Sequence, residues 1–290
     1  MKTVIASAVS LAALATVAMA APASAQEVEL RNAVARVVVI VEDRTDVGVE
    51  IEPGSANLPA PRVIRRGNQV RIDGDLGRNA IRNCRSGGGD RRQPGEGASV
   101  ELRQFGRVNL SEAPLIVLRT PRDVEVSVES GAVYGSVGRG ATSIAVGNGG
   151  CGNWTVANTT GSLELSLAGS GDFRAGTSRS LEVNIAGSGN ITAGATRDLE
   201  ANILGSGNID VARVDGDLEA NILGSGNIEV RGGEATNVEA NIMGSGDIAF
   251  RGRARDAEAN VAGSGDIRLA SVTGNLSRST PGSGRVIVGP

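Results

Sequence analysis

The chain has 290 residues, 40% apolar, 21% charged and only 2% aromatic, with a formal net charge of −3 and two cysteines. It contains no histidine and its one lysine is Lys2, which excludes Ser-His-Asp and Cys-His nucleophile systems, Ser-Lys dyads and imidazole-built zinc or haem sites. The shortage of rings argues against stacking platforms for sugars or single-stranded nucleic acid, and 28 arginines against 32 carboxylates leave no nucleic-acid footprint.

Residues 1–25 read as a secretory signal peptide: a charge at Lys2, an apolar, alanine-rich stretch over 4–20, and small residues at Ala23, Ser24 and Ala25. Cleavage is expected between Ala25 and Gln26. No cysteine follows the site to accept a lipid, and no later stretch resembles a spanning helix. The mature protein is expected in the periplasm or outside the cell, with no membrane span after cleavage.

Residues 26–123 read as an irregular β region. Strands are expected at 36–41 and 47–51, joined as a hairpin through Asp43, Arg44, Thr45 and Asp46, and at 62–65 and 70–72, with Gly67 and Asn68 as the tight turn between them. This region either starts or caps the repeat array that follows, because an open end would leave a sheet edge and an apolar cross-section exposed. Residues 79–98 are rich in Gly and Arg, include Pro94, lack periodicity and read as a loop. Cys84 lies there, and Cys151 occupies the Ser position of a degenerate repeat, 150–153. Two cysteines in an exported chain usually pair, so a Cys84–Cys151 disulfide clamping the loop to the first coils is expected, with two free thiols as the alternative.

From 124 to 290 the chain is repetitive. Gly-Ser-Gly begins at Gly169, Gly187, Gly205, Gly224, Gly244, Gly263 and Gly282, at spacings of 18, 18, 19, 20, 19 and 19 residues. Each copy follows a run of alternating apolar residues (163–167, 181–185, 199–203, 218–222, 238–242, 257–261), the pattern of a strand with one buried face. Two short strands cannot bury that face alone, so equivalent strands must stack, about 4.8 Å apart. The fold expected is all-β: a right-handed parallel β-helix of 18–20 residues per coil, the hand following from the rule for parallel crossovers. Gly supplies positive φ at the bends. Ser170, Ser188, Ser206, Ser225, Ser245 and Ser264 then form a file at the bend, and Asn190, Asn208 and Asn227 form another, shared with Asp172, Asp247 and Asp266 and able to hydrogen-bond along its length.

These reiterated Gly-Ser-Gly-Asn/Asp-Ile units resemble the head GIN domain of bacterial proteins described as autotransporter adhesins, over about 124–289. The resemblance implies an exported β-solenoid and brings no catalytic motif with it.

Glu164, Glu182, Glu200, Glu219, Glu239 and Glu258 fall in one column, and Asn184, Asn202, Asn221, Asn241 and Asn260 in another two positions on. Carboxylates stacked at coil spacing repel by ~1 kcal/mol per neighbour in water, so arginines in adjacent columns or bound cations are expected to offset them. The columns read either as a solvated sheet face or as a face that engages a repetitive partner. The leading functional expectation is a non-enzymatic, adhesin-like binding or envelope-scaffold module that presents its side-chain ladders to a polymer or protein partner, an envelope or surface polymer or another copy of itself among the candidates, with no cofactor. The alternatives are a polysaccharide-acting β-helix enzyme using carboxylate or Arg chemistry, which needs a cleft with 79–98 as its only candidate wall, and a self-associating structural protein.

Overall fold

A computed structural model describes residues 26–77, 79–87 and 93–289; the expected signal peptide lies outside them. In chain order the first strands are β1 (Gln26–Arg31), β2 (Ala33–Val41), β3 (Gly48–Glu52), β4 (Arg62–Arg66), β5 (Gln69–Asp73), β6 (Ile81–Arg85), β7 (Ser99–Leu102), β8 (Gly106–Asn109), β9 (Leu115–Thr120), β10 (Asp123–Val128), β11 (Gly131–Val137), β12 (Ser143–Asn148) and β13 (Trp154–Val156). The repeats then supply two strands per coil down to Leu276–Ser279 and Arg285–Val288. Among the described residues the only helical element is one 3-10 turn, Leu110–Glu112.

The alternating runs stack as a parallel β-solenoid of about nine turns. One ladder runs β5, β1, β10, β12, Ser162–Leu167, Ser180–Ile185, Asp198–Gly205 and onward to Leu276–Ser279. A second runs β9, β2, β11, β13, Asp172–Ala175, Asn190–Thr196 and onward to Arg285–Val288. Short pairings such as Thr196 with Val214 and Ala235 with Ala254 close a third side.

Period-two alternation makes the inward residues continuous files. Leu167, Ile185, Ile203, Ile222, Ile242 and Val261 form one, and Trp154, Phe173, Ile191, Ile209, Ile228, Ile248 and Ile267 another. One file shrinks from Leu165 to Ala259 while another grows from Ala193 to Leu269, which keeps the apolar volume per coil nearly level. Close packing demands that balance.

The glycines answer to steric crowding as much as to φ. Gly224 has φ of +146°, but Gly207 does not need positive φ at all. A Cβ on Gly207 would sit 2.3 Å from the carbonyl oxygen of Gly189 in the preceding coil, so only a bare Cα lets the bends stack at strand spacing.

At the N-terminal end, β1 and β2 form a full coil without any Gly-Ser-Gly, in parallel register with β10 and β11; Asn32, at φ of +47°, makes the bend between them. The expected hairpin between 36–41 and 47–51 does not form. β9 pairs parallel to β2, placing Ile116 and Leu118 beside Val37 and Val39, and β3 pairs antiparallel to the outer edge of β9. Completing one more apolar layer wins over the local turn. The hairpin at Gly67 and Asn68 does form, joining β4 to β5, with Gly67 at φ of +59°.

The stretch 79–98 is not simply a loop, since it contains β6, which joins β7 and β8 in a separate antiparallel sheet. That sheet covers an outward-facing apolar patch of the first coils, where Val34, Ala132 and Tyr134 pack with Val100, Leu102 and Leu110 in a second core. Cys84 on β6 is disulfide-bonded to Cys151 at a coil corner, with Cα atoms 6.4 Å apart. The bridge clamps the small sheet onto the solenoid.

Candidate functional site

The face built by Ser162–Leu167, Ser180–Ile185, Asp198–Gly205, Leu218–Gly224, Glu234–Gly244 and the last residues of Ile248–Val261 carries the expected columns in strict register. Glu164, Glu182, Glu200, Glu219, Glu239 and Glu258 stand one above another, and Asn184, Asn202, Asn221, Asn241 and Asn260 do the same two residues further on.

Each interior asparagine uses both amide protons. Asn202 donates to Asn184 Oδ1 (3.1 Å) and to Glu200 Oε1 (3.1 Å), and Asn221 to Asn202 Oδ1 (3.0 Å) and to Glu219 Oε1 (2.9 Å). Asn241 and Asn260 repeat the arrangement at 2.9–3.0 Å along the file and 3.1–3.2 Å to the glutamates. Glutamate repulsion is therefore offset in part by amide dipoles, and not by the arginines that the spacing led us to expect in adjacent columns. No arginine stands at an outward position of this face between Ser162 and Asn260, and among the described residues no group of three or more acidic or sulfur ligands has metal-holding geometry.

Upstream, Glu125 continues the glutamate column after an interruption at Ala145. Its carboxyl is raised above the ordinary value, first by burial and then by repulsion from Glu27 and Glu164.

Beside the asparagine file runs a feature that sequence reasoning missed. Leu204, Leu223 and Met243 stack on one another and point outward, 58%, 48% and 62% exposed. With Ala186 and Ala262 they wall an open groove of about 550 Å³ whose other side is the asparagine file. The signal was available: Ile203-Leu204, Ile222-Leu223 and Ile242-Met243 are apolar pairs where strict alternation calls for a polar residue.

At the next bend the serine file is exposed, and its backbone N–H groups bond to the first glycine of the preceding copy, as Ser206 does to Gly187 (3.0 Å). Ser170, Ser188, Ser225, Ser245 and Ser264 occupy the equivalent corners, and Ser283 Oγ donates to Ser264 Oγ at 3.2 Å. The file beyond it hydrogen-bonds along its length: Asn190 to Asp172 (3.0 Å), Asn208 to Asn190 (2.8 Å) and Asn227 to Asn208 (2.9 Å). It ends on Asp266, which accepts from Arg285 and Arg268, each at 2.7 Å. These bonds, Arg285 first, hold the Asp266 carboxyl below its usual range.

The wall expected at 79–98 does border a small cleft of about 140 Å³, between Gln93 and Pro94 on one side and Asn153, Asp172 and Arg174 on the other. Asp172 is the single carboxylate among its described lining residues, whereas glycoside hydrolysis needs two.

Fold and surface together define a parallel β-solenoid that displays side-chain files in register. The chain belongs to the family described as "putative auto-transporter adhesin, head GIN domain", whose model matches residues 32–213 and 212–290. Among curated proteins none matches it. It is similar to the crystal structure of a "putative adhesin" from Bacteroides fragilis NCTC 9343, at 16% identity and a TM-score of 0.40, with 91% of this chain and 92% of that one covered. It is also similar to a "putative lipid binding protein" from Parabacteroides distasonis ATCC 8503, at 20% identity and a TM-score of 0.43, with the same coverage.

Proposed function

We propose that this protein is an exported, non-enzymatic, adhesin-like module that works at the cell surface or outside the cell, and that its glutamate and asparagine files form the face that engages an extended, repetitive partner. The observation that carries this reading is the asparagine file itself. Five amides are held in one orientation by bonds of 2.9–3.1 Å along the file, so a rigid row of acceptors at coil spacing meets the partner without prior ordering, which lowers the cost of binding. Membership of an adhesin-head family and a disulfide, stable in oxidising compartments, support the assignment.

The test is an array of glycans and envelope polymers probed with residues 26–290, comparing wild type with the Glu200→Arg plus Glu219→Arg variant. Both side chains point outward, so the variant is expected to fold and to lose capture of the polymers that wild type retains. Identical capture by the two proteins would remove this face as the contact surface.

A further inference from the structure

The glutamate file is unusual within its own protein. Several carboxylates on the other sides of the coils have arginine partners: Glu229 with Arg251 (2.8 Å), Glu234 with Arg253 (3.0 Å), Asp215 with Arg213 (2.6 Å). Among the described residues, the six glutamates of the file form no ion pair. The arginines nearest this face stop at its rim, where Arg197 and Arg255 approach Asp198 (3.8 Å) and Asp256 (2.8 Å). The six glutamates span about 24 Å at strand spacing, a row of negative charge met within the protein by amide dipoles.

Three strips run side by side along the coil axis. The outermost is the carboxylate row. Next comes the asparagine floor, whose N–H groups from Asn202 to Asn260 are all used inside the protein, leaving each Oδ1 with a spare lone pair; along that stretch the floor accepts hydrogen bonds and donates none. The third strip is the Leu204, Leu223 and Met243 wall. A partner seated here must bring positive charge on one side, apolar groups on the other and donors beneath.

We infer that the groove between the glutamate and Leu/Met files takes an extended, basic, amphipathic polypeptide, its arginine or lysine side chains on the carboxylate row and its apolar side chains on the Leu204, Leu223 and Met243 wall. An extended chain sends successive side chains to opposite sides, which matches a channel charged along one bank and apolar along the other. Backbone N–H groups are donors for the asparagine oxygens. A polyanion is repelled by the carboxylate row. A second copy offering the same face brings like charge against like.

This inference rests on the proposed use of the same face, so the experiment separates the two. Residues 26–290 are titrated by fluorescence anisotropy against a labelled peptide of alternating arginine and leucine, a second of alternating arginine and serine, and a third of alternating glutamate and leucine. The arginine–leucine peptide is expected to bind and the glutamate–leucine peptide to be rejected. Replacing Leu204 and Leu223 by serine should weaken the arginine–leucine peptide at least about tenfold, the loss of two buried leucine contacts, and leave the arginine–serine peptide unchanged. Glu200→Gln plus Glu219→Gln should weaken both arginine peptides about fivefold, as for exposed ion pairs, and binding should fall as salt rises. Equal affinity for the two arginine peptides, or leucine variants that bind as wild type does, would overturn the inference, because the apolar wall would then play no part. Should the array polymers still be lost on Glu200→Arg plus Glu219→Arg while no peptide binds, the face stands and the partner class falls. Indifference of both assays to every substitution would overturn both.

Discussion

The Trp154 indole lies against the backbone of Gly135 in the neighbouring coil, so close that a Cβ on Gly135 would come within 2.3 Å of the ring. The two residues are in direct register, Gly135 in β11 and Trp154 in β13, and Trp154 is fully buried in the solenoid core with Phe173 next in its file. A wide ring fits into a stack built for aliphatics only where the adjacent layer gives up its side chain.

Gly135→Ala is therefore expected to destabilise by about 1–3 kcal/mol, the range for forcing extra volume into a packed core. Trp154→Ala is expected to cost about 3–5 kcal/mol. The informative variant is the pair Gly135→Ala with Trp154→Ala, whose combined cost should be well below the sum of the singles. Denaturant melts of the four proteins check this, and simple additivity would mean that the ring and the glycine are not coupled.

The asparagine file predicts a graded response at its centre. Asn221→Ala removes two donated bonds and the one accepted from Asn241 (3.0 Å) and should cost about 1–2 kcal/mol, since the site is only half-buried and water replaces part of the loss. Asn221→Asp should cost more at neutral pH, because it sets a carboxylate beside Glu219 and against the oxygen of Asn202. Its excess penalty should shrink as pH falls through the carboxylate range, where the new acid is neutralised. Thermal melts at neutral and acidic pH separate the two.

Much of this architecture is written locally and some of it is not. The Glu200 and Asn202 columns were legible because a fixed period places like residues above like, and stacking follows from burial alone. The bonding within the columns was not, since it depends on which way each amide turns. Leu204 was overlooked because the eye follows Ile203, its inward neighbour. The first coil, β1 and β2, was hidden because Asn32 makes its bend in place of the Gly-Ser-Gly signal, although Val28 and Leu30 alternate as a coil strand should. The placing of β9 between β2 and β3 was beyond reach, because a pairing between residues 79 apart is set by the fit of layers and leaves no local mark.

Acid should loosen the C-terminal coil. Asp266 is buried, and its carboxyl is held low chiefly by the hydrogen bond from Arg285, with burial opposing and the charges of Arg285 and Arg268 adding. A lowered folded value means that this contribution is fully present above the ordinary aspartate value of 3.8 and is lost as pH falls below it towards the depressed folded value. Arg285→Gln should lower stability at neutral pH and flatten the acid limb below pH 3.8. Glu125 carries the opposite sign: its raised carboxyl makes ionisation unfavourable in the folded state, so stability declines as pH rises from the ordinary glutamate value of 4.5 through the raised folded one. Glu125→Gln should stabilise above that window and be neutral below it. Melting curves across acidic pH, with hydrogen exchange on the last coil, test both; an acid limb unchanged by Arg285→Gln would show that the pair does not govern it.

Reduction of the disulfide should separate the small sheet from the coils without unfolding them. Cys84 and Cys151 close 67 residues of chain, and the chain-entropy account assigns such a closure about 4 kcal/mol. The β6–β8 sheet has only a small core of its own and leans on Val34, Ala132 and Tyr134 of the first coils, whereas the coils from Ser162 onward are held by neighbours above and below. Repeat stacks of this kind lose structure locally because each layer contacts only the next. Cys84→Ser with Cys151→Ser is therefore expected to speed hydrogen exchange in β6, β7 and β8 and to uncover an apolar patch that binds a hydrophobic dye, while protection in the glutamate and asparagine strands stays as in wild type. If protection instead falls together in both regions, the bridge stabilises one cooperative unit, and the small sheet is as integral to the fold as the coils are.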